Sequence, residues 1–274
     1  MNAPGKEGEF FQEIIESLRA CEEESPASYV SKEVLLEFYR PAPKHAAKAV
    51  QKAANVPVGR SVPLPSPAPA GTTADRTLSV RPEEMDFPEL KSAVAICSRC
   101  PLCRTRTNTV FGDGNEKAEL MFVGEGPGAD EDAQGLPFVG KAGELLTKMI
   151  LAMGFARKEV YIGNIVKCRP PNNRTPEEEE IAACLPYIKR QIALIRPKAI
   201  VLLGATPLRG LFDLTGITRL RGKFLEYDGI PAMPTFHPAY LLRNPSAKAD
   251  VWKDLQQVMK LLGKTPAPPR QKRS

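Results

Sequence analysis

Three groups of residues in this chain are of the right type and spacing to do chemistry. The first is a set of thiols: Cys97, Cys100 and Cys103 in "CSRCPLC", Cys168 after an apolar run, and Cys184 within a helical pattern. One CxxC plus two distant thiols fits a four-cysteine site, though not a zinc ribbon, whose second pair is also close. Zinc and an iron-sulfur cluster, both held by thiolates, stay equally open on spacing. The second group is the loop "GEGPGADED" from Gly124 to Asp132, where a glycine cluster is followed by acids. Those acids would repel a phosphate, so Glu125 and Glu131 suit activating a water or offsetting a cation, if they are not simply solvated. The third is His237, the one imidazole outside the Pro-rich segment that holds His45. It is either a structural histidine or a proton donor. Asn164, in "GNIVKCRPPNNR", either ties a loop or offers a donor and an acceptor side by side to an amide-bearing ligand.

The stretch "GLPFVGKAG", Gly135 to Gly143, nearly spells a phosphate-binding loop. Pro137 has no N–H to donate, Phe138 is bulky, and Ala142 stands where a magnesium-binding hydroxyl is required. The nucleotide reading therefore fails. Phe138 is either core or a surface for a planar ligand.

These candidates need a scaffold that brings them together. "AELMFVGE", "VYIGNIV" and "AIVLLGA" are short apolar runs of the kind buried on both faces of a parallel sheet. A last strand is expected near "GIPAMPTF". Between the runs lie helical patterns: "AGELLTKMILAMG", then "EEEEIAACLPYIKRQIAL" with Thr175 and Pro176 as its start, and finally "SAKADVWKDLQQVMKLLG". The alternation predicts an α/β fold, a three-layer α/β/α sandwich with a central, mainly parallel sheet. In such sheets the site lies beyond the carboxyl ends of the strands, where Glu125, Asn164 and His237 all fall.

The sequence divides into a helical appendage over residues 1–40, a Pro/Ala/Lys-rich linker over 41–86, the main domain over 87–263 and a basic, disordered tail over 264–274. The appendage carries an apolar stripe (Phe10, Phe11, Ile14, Ile15, Leu18) that packs locally or meets a partner protein. The net charge of +6 is unevenly spread: residues 1–40 hold nine acids and four bases, leaving 34 bases against 23 acids. A basic main portion is compatible with a phosphate backbone as partner. No apolar run approaches the roughly 20 residues of a membrane helix, and six unevenly placed cysteines do not make a secreted disulfide framework. A cytoplasmic monomer without membrane association is expected.

Taken together, "CSRCPLCRTRTNTVFGDGN", "LMFVGEGPGADEDAQGLPFVGKAG", "VYIGNIVKCRPPNNRTP", "LRGKFLEYDGI" and "PTFHPAYLLRNPSAK" resemble the iron-sulfur uracil-DNA glycosylases, family 4, from about Cys97 to Leu262. The resemblance implies a uracil-DNA glycosylase-like fold and removal of uracil from single- or double-stranded DNA, leaving an abasic site for base excision repair. It implies a [4Fe-4S] cluster on Cys97, Cys100, Cys168 and Cys184, with Cys103 unassigned. A flipped base needs a stacking platform and an edge reader. Phe138 takes the first role and Asn164 the second, while Gly126 gives the base room. His237 donates to the uracil O2 as charge gathers there. Either Glu125 or Glu131 positions the water or offsets the sugar's charge. Leu241 and Leu242 are expected to wedge into the vacated stack, with Arg243 and Lys248 on phosphates. Two classes compete: a DNA-binding module organised by zinc or iron-sulfur, which binds but releases no base, and an iron-sulfur electron-transfer protein, which leaves the acidic loop, Asn164 and His237 without work.

Overall fold

The computed structural model describes residues 81–264. The appendage of residues 1–40, the linker to residue 80 and the tail from residue 265 lie outside the described residues. Six strands form one sheet: β1 (Asp113–Gly114), β2 (Leu120–Gly124), β3 (Tyr161–Asn164), β4 (Ala199–Leu203), β5 (Leu225–Tyr227) and β6 (Ile230–Thr235). Their order is β1-β3-β2-β4-β6-β5. The central four run parallel and the two short edge strands antiparallel. Among the described residues eight α-helices accompany them: α1 (Phe87–Ala95), α2 (Ala129–Gln134), α3 (Lys141–Ala152), α4 (Glu178–Ile195), α5 (Ala205–Phe212), α6 (Ile217–Leu220), α7 (Pro238–Arg243) and α8 (Lys248–Leu261).

The strands are apolar throughout because both faces are covered. Side chains alternate along a strand, so Leu120 and Phe122 of β2 join the core under α3 and α8, while Met121 and Val123 join the core under α1 and α4. β4 divides in the same way, Val201 to one side and Ile200 and Leu202 to the other. The three-layer α/β/α architecture with a mainly parallel sheet follows from that double burial.

Helix α4 starts later than expected. Its N-cap is Glu177, and Glu180 reaches back to accept from the Glu177 N–H at 2.8 Å while forming two hydrogen bonds with the Arg174 guanidinium. That exchange, and not the Thr175-Pro176 pair, caps the start of the helix. Packing also begins upstream of Phe87: Met85 is buried, and its carbonyl accepts from Arg190 Nε at 2.6 Å. Among the described residues no helix is long and apolar enough to cross a membrane.

Candidate active site

A cleft of about 510 Å³ opens where the parallel strands end. Glu125 and Gly126 leave β2, Asn164 closes β3, Gly204 follows β4, and His237 stands two residues past β6; all of them line it, together with Phe138. The five positions are scattered over more than 110 residues of sequence, and the sheet gathers them.

Phe138 is the most constrained residue of the group. It is buried and adopts φ 53°, a left-handed conformation that a bulky side chain takes only when its surroundings dictate it, at a cost on the order of 1–3 kcal/mol. The surroundings do dictate it. Arg157 Nη2 donates to the Pro137 carbonyl at 2.6 Å, and the backbone N–H groups of Val139 and Gly140 donate to Glu131 Oε1 at 3.0 and 3.1 Å. Gly143 leaves room for the Phe138 carbonyl, which a Cβ there would strike. The ring, in turn, lies over Gly124: a Cβ on that glycine would sit 2.6 Å from Phe138 Cζ and 2.5 Å from Asn164 Oδ1. A flat ring and a polar amide thus flank one glycine at the cleft floor.

These contacts revise the expectation for Glu131. Its other oxygen accepts from Gly128 N–H at 3.1 Å, so the carboxylate serves three backbone amides and bridges the "GEGPG" loop to the Phe138 loop. In the structure it holds these two loops together. Glu125 is placed differently: Oε2 accepts from the hydroxyl of Thr206, a buried residue in the first turn of α5, and the carboxylate faces the cleft. Both carboxylates line the cleft, but Glu131 is engaged by three backbone amides whereas Glu125 has a single hydroxyl donor, which leaves Glu125 the freer acceptor.

His237 caps α7. Its Nδ1 accepts from the Ala239 N–H at 3.1 Å, which fixes the tautomer: Nδ1 is the acceptor, so in the neutral ring the proton sits on Nε2. Burial, reinforced by the nearby Arg243 charge, lowers the imidazolium pKa from 6.5 to about 4. The ring is therefore neutral near pH 7 and presents one N–H. It lies 5.6 Å from the Phe138 ring, centroid to centroid. Asn164 is buried, and its Oδ1 has no hydrogen-bond partner within the protein. A buried polar atom without a partner costs about 1–3 kcal/mol, the signature of an acceptor kept for a ligand.

Cys97, Cys100, Cys103, Cys168 and Cys184 line a second, smaller cavity, walled by Arg106, Lys167 and Tyr187. Arg106 Nη1 donates to Cys168 Sγ at 3.1 Å, the Tyr187 hydroxyl to Cys97 Sγ at 3.4 Å and the Lys167 backbone N–H to Cys184 Sγ at 3.3 Å. Burial raises the Cys100 and Cys168 thiols and pushes Cys184 up to about 12, so thiolates at this place need a cation beside them. Among the described residues no group of three or more His, Cys, Asp or Glu is arranged around a single metal ion. Lys167 is buried as well, and burial lowers its ammonium to about 8.

The wedge expectation splits. Leu241 is 0% exposed, packed in the core beneath α3 and α8, and cannot reach DNA, whereas Leu242 is 38% exposed and Arg243 lines the cleft. On a helix, neighbours in sequence point about 100° apart, so only one of two adjacent leucines faces out. Lys248 is buried too, which removes it as a phosphate contact. Sequence reasoning missed Thr206 and Arg157, and it read Asp132 as a catalytic or solvated acid of the loop, whereas Asp132 is buried, accepts from the N–H groups of Thr107 and Asn108 and ties the segment after the cysteines to α2. Thr206 left a faint signal, since it follows a strand end as the other site residues do; Arg157 left none.

The family model of the uracil DNA glycosylase superfamily matches residues 111–256. Similar proteins include the type-4 uracil-DNA glycosylase of Sulfurisphaera tokodaii, 47% identical over 183 residues, 63% of this chain and 83% of that protein. The type-4 enzyme of Thermotoga maritima is 52% identical over 153 residues, 55% and 80% of the two chains. That of Archaeoglobus fulgidus is 46% identical over 177 residues, 61% and 89%.

Proposed function

This chain belongs to the uracil-DNA glycosylase superfamily and to its type-4 members, and we propose that the cleft at the strand ends is where it receives a uracil extruded from DNA. It cleaves the N-glycosidic bond, releasing uracil and leaving an abasic site for repair. Flipping costs a few kcal/mol, which the pocket returns through stacking and edge contacts. Phe138 supplies the face, held rigid by Arg157, Glu131 and Gly143. Asn164 Oδ1 accepts the uracil N3–H, and its amide N–H donates to O4.

As the N1–C1′ bond breaks, its electron pair moves into the uracil and charge collects on O2. His237 meets that charge as a neutral Nε2–H donor. A neutral donor strengthens its bond as the anion forms without first needing a proton from solution. Glu125, with Oε2 steadied by Thr206, offers its remaining oxygen to the water that adds to C1′ and offsets the cationic sugar. Leu242 enters the gap in the stack and Arg243 contacts phosphate.

The thiol cavity fits an iron-sulfur cluster in donor type and in arrangement. The five thiols line one shared cavity, a donor set that suits a group held by several thiolates at once. Cys97, Cys100, Cys168 and Cys184 would hold a [4Fe-4S] cluster, which supplies structural crosslinking to a hydrolytic enzyme. Arg106, Tyr187 and the Lys167 amide supply hydrogen bonds to its sulfur ligands. We further take the enzyme to be a cytoplasmic monomer acting on single- or double-stranded DNA.

The unpartnered Asn164 Oδ1 carries this reading. In single-turnover release of free uracil from an oligonucleotide bearing one uracil, Asn164→Ala is expected to fall by at least about 100-fold, because the site then lacks the groups that read the edge. Wild-type rates in that variant would remove Asn164 from base recognition.

A further inference from the structure

We propose that Lys167 is a positioning residue for uracil recognition, aiming the Asn164 amide from the wall of the thiol cavity. The inference rests on the reading of Asn164 as the edge reader. Lys167 Nζ donates to the Asn164 carbonyl at 2.9 Å and to Gln191 Oε1 at 2.6 Å, and it is 2% exposed. Gln191 is itself fixed, its Nε2 donating to the Phe111 carbonyl and the Tyr161 hydroxyl at 3.0 and 2.9 Å. The charge of Lys167 faces the thiol cavity, but its two hydrogen-bond acceptors are neutral oxygens, and a buried ammonium is a costly way to fill space that an apolar side chain would fill more cheaply. Its location suggests what it does.

The Asn164 carbonyl and the Ile165 N–H belong to one peptide plane. The N–H end donates to the Gly124 carbonyl at 2.9 Å, and the carbonyl end accepts from Lys167. Gripping both ends fixes ψ of Asn164 just where the β3 ladder stops, and with it the direction of the Cα–Cβ bond that carries the reading amide. Lys167 is in turn anchored to the cavity: its backbone N–H donates to Cys184 Sγ, and its carbonyl accepts from Val110 N–H at 2.8 Å. A shift of the thiols is therefore transmitted through Lys167 to the base reader.

The test is a double-mutant cycle of Lys167→Met with Asn164→Ala, each protein assayed per iron-containing molecule for single-turnover uracil release and for inhibition by free uracil. Lys167→Met is expected to keep its iron, to slow excision by about tenfold and to weaken inhibition by uracil. In the Asn164→Ala background it is expected to cost less than about twofold, because the group it aims is gone. Equal losses in both backgrounds, or no loss in either, would overturn the inference. If Lys167→Met does not retain iron, Gln191→Met, which leaves the lysine but removes its second acceptor, carries the same cycle with the same criteria. Asn164→Ala alone at the wild-type rate would instead overturn the reading of Asn164, so the two failures are distinguishable.

Discussion

The cleft and the thiol cavity stand at opposite ends of one short segment, Asn164 to Cys168, yet they are finished in opposite ways. At the cleft, polar groups are left facing space: Asn164 Oδ1 has no partner, and His237 uses only Nδ1 within the protein. At the cavity, three of the four proposed ligand sulfurs already accept a hydrogen bond from the surrounding protein. Groups kept for a reacting ligand carry an energetic cost until it arrives, whereas groups that hold a structural centre are supported from outside. The contrast fits the proposal of chemistry at one end and architecture at the other.

The largest expected effect isolates the chemical end. His237→Ala removes the donor to the developing oxyanion and should lower single-turnover excision by about 100- to 1,000-fold, with iron content unchanged and the thermal transition lowered only as far as loss of the α7 cap, about 1 kcal/mol, requires. A comparable fall in stability would mean that the histidine serves mainly as the α7 cap. Next comes the architectural end. Cys184→Ser should lose iron and lower the thermal transition on the order of 10 °C, as a loss of about 3 kcal/mol does in a domain of this size. Full iron retention would refute the ligand set. A smaller effect sharpens the comparison within the cleft: Phe138→Ala should weaken capture of the base by about 1–3 kcal/mol, read as KM or as affinity for uracil-containing DNA. Unchanged kinetics would leave Phe138 as core alone.

How much of this was legible in the sequence follows from what each residue depends on. The central strands and their covering helices were readable, because double-sided burial writes a continuous apolar run and a helix writes its period locally. The edge strands β1 and β5 were not, since two or three residues carry no period. Glu125, Asn164 and His237 could be grouped from the sequence because strand ends in an open parallel sheet converge, whereas Phe138, between α2 and α3, stood out only through its near-match to a phosphate loop. The contacts of Glu131 were hidden: they are made with amides eight and nine residues away, at Val139 and Gly140, which only the folded loop brings within reach. Leu241 and Leu242 are chemically identical in the sequence, and only the orientation of α7 puts one in the core and the other at the surface. Lys167 was read as part of a motif around Cys168, without sign that its side chain turns back to Asn164.

The central claim is that a neutral His237 does the electrostatic work of base release, and the pH dependence of single-turnover uracil release tests it most directly. The depressed pKa means that the folded protein keeps the ring neutral while a free histidine takes up its proton. Protonation therefore costs stability progressively as pH falls from 6.5 toward about 4, and that penalty is absent above this range. Measured per iron-containing molecule, the rate should hold level from about pH 8 to about pH 5.5, then decline as the ring is charged and its Nδ1 acceptor is lost. A rate that rises as pH falls through 6.5 would contradict the account, because the active donor would then be the imidazolium.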